Sequence, residues 1–268
     1  MFGTIGKGMT THHEDIVDQF TRQADVFANA PPITDERALG LLLRAVGATG
    51  EDTVLDVACG PGLVVCAFAA HAKHATGIDL TPAMIGRARR LQETKGIGNV
   101  SWHVGDVLGM PFRDGEFSVV SCRFAFHHFV QPQRVLAEMV RVCRPGGQVA
   151  VVDVVASEDP AVAACLNTMD SLRDPSHVRF MPESELRLFF AAAGVPNPEV
   201  EHYPLEGDLD SLLSRSFPNE GDDATIRQMF GDSLGDDGMG MGTRREGRLI
   251  RYAYPTAILV ATVPHPGS

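Results

Sequence analysis

The sequence predicts a doubly wound, mostly parallel α/β sheet, and three observations carry that prediction. Strand-like and helix-like segments alternate from Thr53 onward. Several strands, such as "SVVSC" and "VAVVDVV", are almost continuously apolar, as strands covered on both faces must be. A Gly-Pro-Gly break in "VLDVACGPGLVV", residues 54 to 65, separates the first strand from the first helix of the series.

Taken in order, Ile16, Val17, Phe20, Ala24 and Phe27 recur at helical spacing, and Thr34 is placed to cap a second helix carrying Leu39, Leu41, Leu42 and Leu43. The alternation then gives a strand at 53–58, helix 62–72, strand 75–79, helix 82–95, strands 100–104 and 117–122, helix 132–143 and strand 147–155. Past Ala156 the pattern loosens through "DSLRDPSHVRFMP" and resumes as a helix at about 183–193 that Gly194 terminates, followed by a strand near Val200. The acidic, glycine-rich stretch 206–248 reads as a mobile excursion, and "TAILVATV" as the closing strand. The expected organisation is an N-terminal helical segment (1–50), a core (51–156), and a cap insertion with loop and closing strands of the same domain (157–268).

Composition bounds the function. With 34 acidic against 23 basic residues and a formal net charge of -11, the chain is poorly suited to gripping nucleic acid phosphates, and a small molecule is the expected partner. The cysteines number five, an odd count without a CxxC pair, which fits reduced thiols in a cytoplasm and no structural zinc. No apolar run is long enough for a membrane span, and no HExxH or clustered carboxylate set suggests a metal.

Ligands of open α/β sheets bind beyond the carboxyl ends of the strands. There Gly60 and Gly62 allow a tight turn and a close backbone approach, while Asp56, inside the first strand, needs loop amides or a cation to offset its desolvation. About 20 residues on, Asp79 ends the second strand where a carboxylate accepts ribose hydroxyls. Asp106 and Val107 follow the third strand, at the expected edge of an adenine. A nicotinamide dinucleotide would prefer a third glycine, where Val65 stands, and its pyrophosphate would be repelled by Asp56. Acid, turn, acid and acid at successive strand ends suit S-adenosylmethionine better.

The motifs "LDVACGPG", "GIDLTPAMIGRARR", "GDVLGMPFRDGEFSVVSCRFAFHHF" and "LAEMVRVCRPGGQVAVVDVV" resemble, in order and spacing, those of the class I S-adenosylmethionine-dependent methyltransferases. Within these they are similar to the small-molecule group that includes the ubiquinone and menaquinone C-methyltransferases. The resemblance covers about 53–155 and departs from the family at Ala58, which stands at the loop's first glycine. It implies a Rossmann-like methyltransferase fold with a seven-stranded sheet. Ala58, Gly60 and Gly62 would line the methionine part, Asp79 would hold the ribose, Leu80 and Met84 would pack on sugar and base, and Asp106 and Val107 would hold the adenine. Arg123 would bound the methionine end through its backbone carbonyl. Gln23, on one helix face with Phe20 and Phe27, would close over the cofactor, which leaves as S-adenosylhomocysteine.

Methyl transfer from a sulfonium is an in-line displacement in which the protein aligns the reactants and excludes water. A general base is needed only for a protonated acceptor such as a phenol, enol or carbon acid. In "FAFHHF", His127 and His128 fall beside the expected methyl, where each either caps the next helix or faces the substrate. In "RDPSHVR", Arg173 and His177 either hold a polar acceptor or belong to a salt-bridged loop. The leading expectation is O-, N- or C-methylation of a small aromatic or heterocyclic metabolite. The alternatives are a cyclase or isomerase using the bound sulfonium, a ligand sensor, and an NAD-dependent oxidoreductase.

Overall fold

A computed structural model describes Val17, Gln19, Phe20, Thr21, residues 35–265 and Gly267. Val17, Gln19, Phe20 and Thr21 are helical; Gln23, Phe27 and Thr34 lie outside the described residues. Helix α1 (Glu36–Val46) is capped by Asp35, whose carboxylate accepts from the amides of Arg37 and Ala38, so the cap falls one residue after Thr34.

Alternation follows through β1 (Thr53–Val57), α2 (Leu63–Ala69), β2 (His74–Asp79), α3 (Pro82–Lys95), β3 (Val100–Val104), β4 (Phe117–Arg123), a 3₁₀ turn at Phe126–His128, α4 (Pro132–Val142) and β5 (Cys143–Ala156). These strands and helices match the expected series to within a few residues. Beyond them come α5 (Pro160–Arg173), β6 (Met181–Pro182), α6 (Glu183–Ala192), β7 (Glu199–Asp208), α7 (Leu209–Ser214), α8 (Asp222–Asp232), β8 (Arg244–Glu246) and β9 (Leu249–Thr262). The sheet runs β3-β2-β1-β4-β5-β9-β7, seven strands on the main path, with β6 and β8 as short additions. β3, β2, β1, β4 and β5 are parallel, whereas β9 is antiparallel to both of its neighbours. The order reverses between β1 and β4, so loops at their carboxyl ends diverge and leave a crevice.

Three apolar clusters hold the molecule. One joins the sheet to α4 and α6 through residues such as Leu136, Met139 and Phe190, and a second joins the opposite face to α1 and α2 through Leu42, Val65 and Phe68. The third lies in the cap, where Leu166, Met169, Ile226, Phe230 and Tyr252 join α5, α8 and the start of β9. Two expectations are corrected there. Helix α5 forms where the pattern looked irregular, because a fully buried Asp170 on its inner face breaks the apolar periodicity. The stretch 206–248 holds the end of β7, two helices and β8 rather than one irregular excursion. β9 also begins before Thr256, and its Pro255 sits opposite Pro204 of β7, a register at which neither residue has an amide to donate.

The break after β1 is fixed by packing as well as by backbone conformation. Gly62 has φ 84°, and a Cβ there would lie 2.5 Å from the Trp102 ring and 2.7 Å from the Ala88 methyl, whereas a Cβ on Gly60, φ 51°, meets nothing within 4 Å. Gly62→Ala should therefore cost about 2–4 kcal/mol from steric conflict and left-handed strain together, and Gly60→Ala only about 1 kcal/mol from strain alone. Urea denaturation of the two variants checks this; equal midpoints would mean that Trp102 moves aside without cost.

Candidate active site

The crevice beyond β1 and β4 is walled by residues from each strand end that lines it. Asp56, Ala58, Cys59, Gly60 and Pro61 come from β1 and its loop; Asp79, Leu80, Thr81 and Met84 from β2 and α3. Asp106, Val107 and Leu108 follow β3, Arg123, Phe124 and Ala125 close β4, and Phe20, Leu63, Val64, His128, Phe129, Val130, Gln131 and Val135 complete the wall among the described residues. Ala58 and Phe124 both have left-handed backbones, φ 54° and 55°, so each strand end turns sharply where it meets the crevice.

Three carboxylates stand in this wall, each differently satisfied. Asp79 accepts the Gly60 amide on one oxygen and the Thr81 amide on the other, both at 2.8 Å. A carboxylate has about four lone-pair sites, and the Thr81 hydroxyl also bears on this one, so not all of them are taken up. Burial pushes its pKa up while those amides hold it down. Asp106 accepts the Leu108 amide at 2.9 Å. Asp56 is 2% exposed, and the Ser121 hydroxyl donates to it at 2.8 Å. Burial raises its pKa to about 7, against the pull of that hydroxyl and of the Arg123 charge. Arg123 itself is buried, with its guanidinium 4.5 Å from the centre of the Phe124 ring and interacting with Tyr203.

The two histidines of the β4 loop have separate environments. His127 donates its amide to Asp153 Oδ2 at 3.0 Å and places Nδ1 2.7 Å from Oδ1 of the same carboxylate. Burial opposes its protonation, but the Asp153 charge and hydrogen bond prevail and raise the pKa. His128 lines the crevice, with its ring 5.0 Å from Phe20 and 4.1 Å from His127, centre to centre. Burial first, and the His127 charge second, lower its pKa to about 3. Neither Asp153, Ser176 nor Asn167 was singled out from sequence, although Asp153, an acid inside an apolar strand, carries the same signal that singled out Asp56.

The remaining expected site residues lie elsewhere. Gly62 is not a wall residue; it packs on Trp102 and Ala88. Arg173 forms a two-pronged pair with Asp170 at 2.7 and 2.8 Å, and Tyr254 donates to Asp170 at 2.8 Å. His177 places Nε2 2.9 Å from Asn167 Oδ1 and Nδ1 3.2 Å from Asp170 Oδ2, the latter too poorly aligned for a hydrogen bond. Burial lowers its pKa to about 4. Arg173 and His177 thus belong to a buried network of the cap behind the His127 ring, 5.6 Å from that of His177, and not to the crevice wall. Among the described residues, no group of three or more His, Cys, Asp or Glu side chains is arranged to hold a metal, and no helix is long and apolar enough to cross a membrane.

Comparison with known proteins gives this crevice a context. Residues 54–147 match a methyltransferase domain. The uncharacterized methyltransferase YcgJ of Bacillus subtilis is 31% identical over 196 residues, 73% of this chain and 78% of the relative. Its crystal structure matches with a TM-score of 0.79 at 27% identity, covering 85% of this chain and 99% of that one. The structure of BH2331 from Bacillus halodurans C-125 matches with a TM-score of 0.80 at 28% identity over 85% and 100% of the two chains. The ubiquinone/menaquinone biosynthesis C-methyltransferase UbiE of Roseobacter denitrificans is 35% identical over 112 residues, only 41% of this chain and 45% of the relative. The strand order with its antiparallel closing strand, the turn between Asp56 and α2, and a relative matched over most of both chains converge: this chain belongs to the class I S-adenosylmethionine-dependent methyltransferases.

Proposed function

We propose that the chain methylates a small, largely apolar acceptor carrying a polar hydrogen, with S-adenosylmethionine held along the carboxylates of the crevice. One observation carries this reading. The crevice wall combines three carboxylates, at Asp56, Asp79 and Asp106, with a largely apolar lining that includes Phe20, Phe124, Phe129 and Val130 and with the ring of His128.

The carboxylates fit the donor. The free lone pairs of Asp79 suit a ribose diol, Asp106 suits an exocyclic amine, and Asp56 gains a counter-charge from the cationic methionine end. Ala58, Gly60, Leu80, Met84, Val107 and the backbone of Arg123 provide the surrounding wall. Gln23 is proposed to close over the donor from the N-terminal segment. The donor supplies an activated methyl, so the chain's own residues have to align the acceptor and exclude water. The apolar lining does this by favouring a planar, poorly hydrated molecule, aromatic or heterocyclic. His128, the histidine that lines the crevice, is the group placed to receive the proton that an O–H or N–H acceptor loses; His127, held through its amide and its ring by Asp153, holds the adjoining turn. Arg173 and His177 support this wall from the cap.

Calorimetric titration with S-adenosylmethionine, S-adenosylhomocysteine and NAD tests the donor assignment directly. Binding of the two sulfur compounds with no response to NAD is expected; the reverse would overturn it. Asp79→Asn should weaken S-adenosylhomocysteine binding by about 1–3 kcal/mol, because the ribose loses a charged acceptor. Unchanged affinity would remove Asp79 from that role.

The state of Asp56 gives a pH dependence with a definite sign. Its carboxyl, raised to about 7, is partly protonated in the free protein at neutral pH, and a cationic donor binds the ionised form. Binding therefore expels a proton. Affinity for S-adenosylmethionine should rise with pH, by up to about tenfold per unit below pH 7, and level off above it. The same titration across pH 6–8 with Asp56→Asn should give a nearly flat profile; a wild-type profile that is already flat would show that Asp56 does not face the donor's charge.

A further inference from the structure

Among the described residues, the cap meets the crevice at the turn of His127 and His128. The His127 carbonyl accepts the amides of Val178 at 2.8 Å and Arg179 at 3.1 Å, so the loop after α5 is fastened to that turn by backbone alone. Just before it, Ser176 and Asp174 approach the crevice-lining ring from behind. His128 Nδ1 lies 3.0 Å from the Ser176 carbonyl oxygen and 3.2 Å from its hydroxyl oxygen. That hydroxyl is 2.6 Å from Asp174 Oδ1, which also accepts the Ser176 amide at 3.0 Å. Asp174, Ser176 and His128 are each at least nine-tenths buried, so these groups are not exchanging partners with solvent.

The protons in this chain are determined by what each atom can do. An ionised Asp174 only accepts, so the Ser176 hydroxyl donates its single proton to it. The hydroxyl oxygen then faces His128 as an acceptor, as does the Ser176 carbonyl. Two acceptors around one ring nitrogen require that nitrogen to carry the hydrogen, which leaves the lone pair of the neutral ring on Nε2. We propose that Asp174 and Ser176 are positioning residues that lock His128 in its Nδ1–H tautomer, so that the cap fixes the proton-accepting face of the active-site histidine. This rests on the methyltransferase reading for its purpose, but not for its measurement.

The lock has a chemical use. When an acceptor hydroxyl attacks the donor methyl, the O–C bond forms, the S–C bond breaks with its electron pair passing to sulfur, and the hydroxyl proton must leave. A ring with its lone pair already on Nε2 takes that proton without rearranging, and the Ser176–Asp174 chain on Nδ1 then faces an imidazolium rather than a neutral ring. Among the described residues, the charged or titratable groups that bear most on His128 are His127 on its own turn and Asp174 and His177 from the cap. Of these, the two histidines disfavour a resting charge on it and Asp174 favours one. In the resting protein the ring stays neutral, with its tautomer set by the cap.

The test is a two-bond ¹H–¹⁵N correlation spectrum of the full chain with ¹⁵N-labelled histidine, His128 being assigned by its loss in His128→Gln. The expected pattern is a neutral Nδ1–H ring that does not titrate between pH 5 and 8. An Nε2–H pattern, or titration near the ordinary histidine value, would overturn the proposal whatever any variant does. In Asp174→Ala the Ser176 hydroxyl is released to donate to Nδ1, so a mixed or Nε2–H pattern should appear. Asp174→Asn, whose amide oxygen still accepts from Ser176, should restore the wild-type pattern. An unchanged tautomer in Asp174→Ala would overturn the role given to Asp174, leaving the Ser176 carbonyl alone on Nδ1, and if that variant does not fold, the wild-type and Asp174→Asn spectra still decide. S-adenosylhomocysteine titration of the same samples separates the two readings: absence of binding with the expected tautomer would sink the donor assignment and leave the lock standing.

Discussion

Burying a carboxylate in a sheet core costs several kcal/mol unless its oxygens are satisfied, and the functional architecture of this molecule follows from how four such groups meet that demand. Asp79 is satisfied by two loop amides, which at the same time shape the turn after β1. Asp153 takes the amide and ring of His127 and the amide of Val154, and so fixes the turn after β4. Asp170 has Arg173 and Tyr254, which tie α5 to β9. Each of these pairings is a structural clamp. Asp56 differs: one hydroxyl is bonded to it, and burial leaves it near 7, between its two states at neutral pH. On the proposed donor placement, the cationic ligand adds to the Ser121 hydroxyl and the Arg123 charge the counter-charge that Asp56 still lacks.

The second consequence concerns the cap. It grips the core not only through apolar surface but through a directed polar seam, from Asp174 and Ser176 to His128, and from Val178 and Arg179 to the His127 carbonyl. Polar seams of this kind fix geometry more than they add stability, since each bond replaces one to water. The apolar contacts of Phe180 with the rings of His127 and His177 supply the surrounding dry environment. Cap and core therefore share one register, and the wall facing the acceptor inherits it.

The core was legible in the sequence because both its signals are local. Continuous apolar strands and amphipathic helices give the alternation, and Gly60, Asp56, Asp79 and Asp106 stand at or just past strand ends that line the crevice. The cap was less legible for a physical reason. Helix α5 turns a charged residue, Asp170, into the core, where its partner Tyr254 is 84 positions away in the chain. A pairing at that separation leaves no period to read. The same cause made Arg173 and His177 resemble an exposed binding cluster when they complete a buried one. His127 and His128, adjacent in sequence, could not be ranked until Asp153 claimed the first and the crevice the second.

The carboxylates and the apolar lining of the crevice also constrain each other. On the donor placement proposed above, a cationic sulfonium set against three carboxylates loses its charge when the methyl leaves, so the electrostatic attraction that would draw the donor in diminishes on turnover. A neutral, apolar acceptor wall contributes no compensating charge of its own beyond the buried Arg123, whose interactions with Tyr203 and the Phe124 ring anchor it to the wall. The proton released by an O–H or N–H acceptor then joins the Arg123 guanidinium as positive charge beside the crevice, and His128 is the histidine that lines it. Charge that enters on the donor can thus leave through the histidine that the cap holds in place, which couples the least sequence-legible part of the chain to the chemistry of its most legible part.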